Sequence, residues 1–302
     1  MLTHAWRYAA RLTFNFYLYD VPHNAKRETV SCYFMKIILT MLLLPLILAL
    51  GHSKNKIIPP GTNHLINNLY IDIDEMSNIG WQEYMYWTSR IYGSNSLEFK
   101  NTLPDTLVWR NLIRELKLTV NEKSKKCAIE TEKLIEIYLR HPAYQNYPVV
   151  GISYSQALQY CNWRTKVVNQ MFYLKAHKYT KLPIDSNIDI PQKVIYRLPN
   201  EKEWELAASA GLVSKNANLY YNTKMTDSLQ FQIPWPNNVA KKDKGGRRNL
   251  MGNVAEMINA EGLSKGGGFI HSTDSCQYKY SIPYSRPEYW LGFRCVAELV
   301  EK

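Results

Sequence analysis

The chain has 302 residues, is 46% hydrophobic and carries a formal net charge of +11. That length supports one large domain or two small ones, and 14 glycines with 14 prolines are too few for a fibrous or disordered chain, so it reads as globular. Five Lys/Arg against two Asp/Glu precede His52, which leaves +8 for the remainder; no nucleic-acid motif accompanies that charge, and it reads as a well-solvated surface.

Residues 1–34 show no helical or strand period. Met35-Lys36 then opens an uncharged apolar run, Ile37–Leu50, that ends in the small-x-small site Ala49-Leu50-Gly51. The run falls short of the roughly 20 apolar residues that span a bilayer, so 35–51 reads as a secretory signal peptide and 1–34 as a non-native extension ahead of Met35. A type II anchor, with Arg7, Arg11, Lys26 and Arg27 in a short cytoplasmic tail, is the alternative. Residues 52–302 form a single domain, since no Ser/Gly/Pro-rich linker or internal repeat divides them. Cys127, Cys161, Cys276 and Cys295 make an even set in a chain bound for an oxidising compartment, and one disulfide is expected.

Along this domain, Leu69–Asp72 reads as a strand. Ser77 caps a helix through about Tyr92, with Ile79, Tyr84, Trp87 and Ile91 near one face, and Gly93 ends it. Leu107–Leu118 and Ala128–Leu139 read as two further helices. Pro148–Ile152 reads as a short buried strand, after which Ser153 caps a helix whose Ala157, Leu158, Cys161 and Thr165 share the inward face. Asn200 and Glu203 form an N-x-x-E capping box for a helix that runs to Gly211. Irregular chain follows, with short strands near Ser264–Ile270 and Tyr289–Ala297. Few helices, short strands and much loop give an α+β class.

Four segments carry more than periodicity: R-L-P-N-E-K-E-W-E at Arg197–Glu205, N-L-M-G-N-V-A-E at Asn249–Glu256, G-G-G-F at Gly266–Phe269 and G-F-R-C at Gly292–Cys295. In this order and spacing they resemble the formylglycine-generating enzyme (sulfatase-modifying factor) domain family. Its members carry an R-L-P-x-E-x-E-W-E helix start, a G-N-V-W-E-W turn, an R-G-G-S-[WF] strand and a terminal G-F-R-C. The resemblance covers roughly Ile58 to Leu299 and implies a C-type-lectin-like fold with much irregular structure. It implies a bond between Cys161 and Cys295, whereas the family's second bridge falls on Ala208 and Ser281, so both of its partners are missing together. It also implies calcium, held by the side chains of Asn249 and Glu256 and the carbonyls of Gly252 and Val254, in a turn rich in the oxygens that calcium takes. The family's other calcium loop is short here, with Asn238 and Val239 in its place.

The family's reaction-associated positions are altered. Active members hold copper(I) on two cysteines and oxidise a substrate cysteine to formylglycine; here the first cysteine position is His271 and the second is Cys276. The serine of G-G-S is Gly268, and the tryptophan of G-N-V-W-E-W is Ala255. Copper is therefore not expected, and no His-rich N-terminal helical segment supports the iron used by ergothioneine-type relatives. Lys241, Lys242, Lys244, Arg247 and Arg248, opposed by Asp243, form a basic run beside the turn that suits an acidic partner or plain solvation. Tyr278, Tyr280, Tyr284, Tyr289 and Trp290 flank the altered strand and suit peptide or sugar recognition, or packing.

The expectation is a secreted, non-catalytic member of this family with a structural or binding role in the cell envelope. Ile58–Thr62, Leu69–Asp72 and Tyr160–Arg164 resemble the gliding-motility and secretion-associated members of Bacteroidetes, which implies a periplasmic or outer-membrane location and an envelope protein, peptide or glycan as partner. Nucleic acid is not expected, nor membrane contact beyond an uncleaved signal segment. The alternatives are an oxidoreductase with a His271/Cys276 metal site and a calcium-dependent glycan- or peptide-binding module; the reading leans against an enzyme.

Overall fold

A computed structural model describes residues 57–115, 129, 132–180, 189–211 and 233–300. The N-terminal extension, the signal segment, Cys127 and residues 116–118, 128, 130 and 131 of the expected 107–118 and 128–139 helices lie outside the described residues. The described residues from Gly61 onward belong to one compact unit. Among the described residues no helix is long and apolar enough to cross a membrane.

This unit has an α+β architecture in which two four-stranded sheets share one stretch of chain. Strand β1 (Thr62–Ile66) turns back on β2 (Leu69–Asp72). These two form the first sheet with β3 (Val194–Arg197) and β8 (Val296–Leu299), in the order β1-β2-β8-β3 with every neighbour antiparallel. The second sheet has the order β6-β5-β4-β7, built from β4 (Ala255–Met257), β5 (Leu263–Lys265), β6 (Ser281–Pro283) and β7 (Leu291–Gly292). Only β4 and β7 run parallel there. The expected 289–297 strand is thus two strands in two sheets, and Phe293–Cys295 is the crossing between them. The expected 264–270 strand ends at Lys265, because Gly266 and Gly267 take left-handed φ values of 84° and 67°.

Helix α1 (Asn78–Tyr92) starts where Ser77 accepts the Gly80 amide and stops where the Gly93 amide bonds the Ser89 carbonyl. Its buried side is Asn78, Trp81, Tyr84 and Thr88 rather than the expected Ile79/Tyr84/Trp87/Ile91 face, and Ile91 is 63% exposed. Aromatic packing decides the rotation: Trp81 stacks on Tyr160 at 5.6 Å and meets Phe293 edge-on at 6.0 Å. After α2 (Leu97–Lys100) and a single 3-10 turn (Thr106–Val108) comes α3 (Trp109–Glu115); residues 132–137 are also helical. Pro148–Ile152 is buried as expected, yet it is no strand. Its Val149 and Gly151 amides bond the carbonyls of Met76 and Glu288, which lie in loops, so no ladder can form.

Helix α4 (Tyr154–Ala176) opens with a complete Ser153/Gln156 capping box, and α5 (Glu201–Gly211) opens with the reciprocal Asn200/Glu203 pair at 2.8 and 2.9 Å. Ala157, Tyr160, Cys161 and Val168 of α4 face the core. Two polar residues on the same helix serve the outer edge of β3. The Thr165 hydroxyl accepts the Tyr196 amide at 2.8 Å and donates to its carbonyl at 3.3 Å. The Asn169 amide oxygen accepts the Lys193 and Val194 amides, while its nitrogen donates to the Val194 carbonyl at 2.8 Å. A side chain that satisfies three buried or part-buried backbone groups leaves all three unpaired when truncated. Asn169→Ala is therefore expected to lower unfolding stability by about 2 to 4 kcal/mol, read as a lower denaturation midpoint in urea.

Candidate functional site

The Asn249–Glu256 turn is shaped by left-handed residues: Asn249, Gly252 and Asn253 have φ of 54°, 82° and 59°. Asparagine tolerates that region better than most residues, which is why the turn reads N-x-x-G-N. The turn delivers Glu256 into β4, where its side chain is buried. One Glu256 oxygen accepts Trp204 Nε1 at 2.7 Å and Arg294 Nε at 2.7 Å, and the other accepts Arg294 Nη2 at 2.6 Å. The remaining Arg294 donors reach the carbonyls of Asp72 at 3.1 Å, Ile73 at 3.3 Å and Arg248 at 2.8 Å.

A second buried carboxyl lies beside this pair. Glu75 accepts the side-chain amides of Asn249 at 2.8 Å and Asn253 at 2.9 Å. Asn253 Oδ1 in turn accepts the Trp235 amide at 2.7 Å. Burial pushes the Glu75 carboxyl up to about 8, against the pull of the nearby Arg294 charge.

The four expected calcium positions share this one turn, but its positive charge is the Arg294 guanidinium. Both oxygens of Glu256 are engaged by hydrogen-bond donors, and the Asn249 amide is turned to Glu75. A calcium ion wants several unclaimed oxygens, usually with more than one carboxylate, and here it would share Glu256 with a guanidinium of like charge. As placed, Glu256 serves the guanidinium and the indole, and calcium enters no step below. Among the described residues no three His, Cys, Asp or Glu side chains cluster as metal ligands.

The altered catalytic positions have local geometric reasons. A Cβ on Gly268 would lie 2.9 Å from the Trp290 carbonyl oxygen and 3.3 Å from the Ala255 nitrogen, so this position has no room for serine. Ala255 is fully buried. His271 Nδ1 accepts the Gly268 amide at 2.8 Å, which places the ring proton on Nε2 and spends the lone pair of the neutral imidazole. Burial lowers the His271 pKa and keeps the ring neutral, and the ring sits edge-on to Trp290 at 4.7 Å. Cys276 closes the 3-10 turn Thr273–Cys276 with 1% exposure. A Cβ on Gly267 would come 2.5 Å from its sulfur, and burial pushes its thiol up to about 11. Neither residue offers a soft, ionised donor as placed.

Cys161 and Cys295 meet in the core as two thiols with sulfurs 3.5 Å apart; the structure brings the expected pair together without joining it. Burial pushes the Cys295 thiol well above its usual range, helped by the hydrogen bond to Cys161. The basic run divides. Arg247 is buried and pairs with Asp243, and Arg248 pairs with Asp74, while Lys241, Lys242 and Lys244 remain exposed. The aromatic group divides too: Tyr289 and Trp290 are core residues, Tyr278 and Tyr284 are half-buried, and Tyr280 is exposed. Asn238 and Val239 sit in an exposed turn.

One cluster escaped the sequence reading. Lys265 is fully buried and donates to Glu201 at 3.1 Å, Glu205 at 2.7 Å and Ser281 Oγ at 3.2 Å. It ties α5 to β5 and β6 at Ser281, one of the two positions where the missing second bridge falls. The i, i+4 spacing of Glu201 and Glu205 was the available signal; its buried lysine partner, sixty residues on, was not.

Comparison with known proteins agrees with this frame. The chain belongs to the sulfatase-modifying factor enzyme 1-like domain family, whose sequence profile matches residues 47–299. Among solved structures it is similar to Treponema denticola variable protein 1, at 16% identity over 80% of this chain and 92% of that one, with a TM-score of 0.42. It is also similar to CarF, at 16% identity over 77% and 87% with a TM-score of 0.43. PvdO from Pseudomonas aeruginosa shares 17% identity over 51% of this chain and 63% of its own, with a TM-score of 0.36. No curated protein matches the sequence.

Two outcomes follow from the buried carboxyls. Glu256→Gln leaves Arg294 without its counter-charge and is expected to cost about 3 to 5 kcal/mol, whereas EDTA is expected to leave the melting temperature of the wild type unchanged. Glu75 has a folded pKa raised above its unfolded value, so the folded state binds more protons and stability at this position falls as pH climbs from about 4.5 to 8. Melting curves across that window should slope downward, and Glu75→Gln should flatten them.

Proposed function

We propose that this chain is a non-catalytic member of its family, a secreted binding or structural domain that works in the cell envelope. The observation that carries this reading is the spent state of both copper-ligand positions. His271 has committed its lone pair to the Gly268 amide, and Cys276 is a buried thiol whose ionisation lies near 11. Copper(I) capture needs two soft donors together, and replacing a thiolate by a neutral, already bonded imidazole removes charge and softness at once. Gly268 and Ala255 also take away a hydroxyl and a large ring where a substrate thiol would be held. Copper therefore does not fit the residues present, and no reaction is routed through it.

The apolar run at 37–50 supports export, and residues 58–62, 69–72 and 160–164 support kinship with the envelope proteins of gliding and secretion systems. In an oxidising compartment the adjacent Cys161 and Cys295 thiols would close into a disulfide that spans a loop of 134 residues, a link worth roughly 4 to 5 kcal/mol before strain. A partner of this domain is an envelope protein, peptide or glycan.

The test is incubation of purified protein with copper(I) and a peptide carrying a sulfatase-type cysteine motif, followed by mass spectrometry. No aldehyde-forming mass loss and no stoichiometric copper binding are expected. Turnover that vanishes in Cys276→Ser would overturn the reading. Burial holds the Cys276 thiol protonated and out of reach, so native protein should react with a disulfide reagent at this position far more slowly than after unfolding.

A further inference from the structure

The first turn of α4 and the loop after α2 flank a cleft of about 390 Å³ that takes no part in the function proposed for the chain. Its back wall is Gly151 and Ser153, one side is Ser155 and Gln159 of the helix, and the other is the loop from Lys100 to Asp105, with Pro287 at the rim. The loop wall is pinned. Gln156 Nε2 donates to the carbonyls of Asn101 and Leu103, both at 2.9 Å, and the Asp105 amide donates to the Gly151 carbonyl at 2.7 Å. Gly151 has a φ of 74°, and a Cβ there would stand 2.3 Å from the Asp105 carbonyl oxygen, so the back of the cleft is closed by contact between two backbones. Walls already fixed cost little ordering when something enters.

We infer that this cleft is a recognition site for a short polar peptide segment carrying both an acidic and a basic side chain. Lys100 and Asp105 are exposed, of opposite sign, and on the same wall; among the described residues no acidic side chain pairs with Lys100, and Asp105 uses one oxygen to accept the Leu107 amide. The helix wall presents Ser155 and Gln159, both exposed, which offer donors and acceptors to a main chain. Leu103, 39% exposed, and Pro287 give an aliphatic lip for one side chain. Among the described residues no aromatic ring lines the cleft, so its known lining lacks the ring face on which sugar recognition commonly rests. Alternating amide and hydroxyl partners with one flanking charge of each sign are the complement of a peptide. The site is separate from His271 and Cys276, so copper-dependent turnover would overturn the non-catalytic reading and leave this one standing.

The experiment is titration of isotope-labelled protein with an acetylated, amidated pentapeptide carrying one Asp and one Lys, followed by amide chemical shifts. Shifts centred on Asn101, Ser155 and Gln159 at about 10 mM peptide or below are expected. Lys100→Ala should weaken the apparent affinity about fivefold. Ser155→Trp, an exposed position whose new ring fills the cleft, should abolish the shifts while the rest of the spectrum stays folded. An all-alanine pentapeptide should bind less well than the charged one. The inference is overturned if the charged peptide leaves these amides unmoved, if its shifts survive Ser155→Trp, or if a neutral oligosaccharide moves them and the peptide does not.

Discussion

The buried pair between Glu256 and Arg294 is the constraint on which the rest of this molecule depends. Glu256 belongs to β4 of the second sheet, and Arg294 belongs to the three-residue crossing that carries the chain from that sheet into β8 of the first. Neither charge is tolerable alone in a water-free interior. Once paired, the guanidinium has donors left for the carbonyls of Asp72, Ile73 and Arg248, and the carboxylate has room for the Trp204 indole. Two sheets, helix α5 and the 248–256 turn are thereby held to one point. The hydrogen-bonding demand of a single planar cation sets the distances between elements that sequence places far apart.

The same network explains why the frame persists with its reaction-associated residues changed. The glycines, the G-F-R-C crossing and the N-x-x-G-N turn all serve the Arg294 pair or the close backbone approaches around it. His271, Cys276, Gly268 and Ala255 answer instead to local packing: an amide to accept, a close backbone approach with no space for a Cβ, a sulfur lodged against Gly267. The frame and these four positions thus rest on different sets of contacts.

Legibility in the sequence followed the range of the interactions. Caps are local, and Ser77, Ser153, Asn200 with Glu203, and Gly93 all stand where their side-chain chemistry placed them. The motif segments are short-range too, and they carried the family and the α+β class. What depended on distant partners was misjudged. The buried face of α1 is set by Tyr160 and Phe293, which lie on other elements. Pro148–Ile152 has the apolar run of a strand and lacks a strand to pair with. Lys265 carries no local signal of its role, because nothing in its neighbourhood of the chain announces Glu201 and Glu205. The run from Lys241 to Arg248 looked uniform, yet Arg247 and Arg248 face inward to Asp243 and Asp74.

Helix α4 also has a consequence for how this chain meets copies of itself. A strand at the end of a sheet presents a row of bare amides and carbonyls, a template onto which any extended chain can zip. By offering Thr165 and Asn169 to β3, the helix behaves toward that strand as a counterfeit neighbour, complete with donors and acceptors at the right repeat. Growth of the first sheet at the β3 end is thereby stopped by two polar side chains that look, in the sequence, like ordinary residues on a helix. A domain held at high concentration would gain solubility from that stop without adding any surface charge.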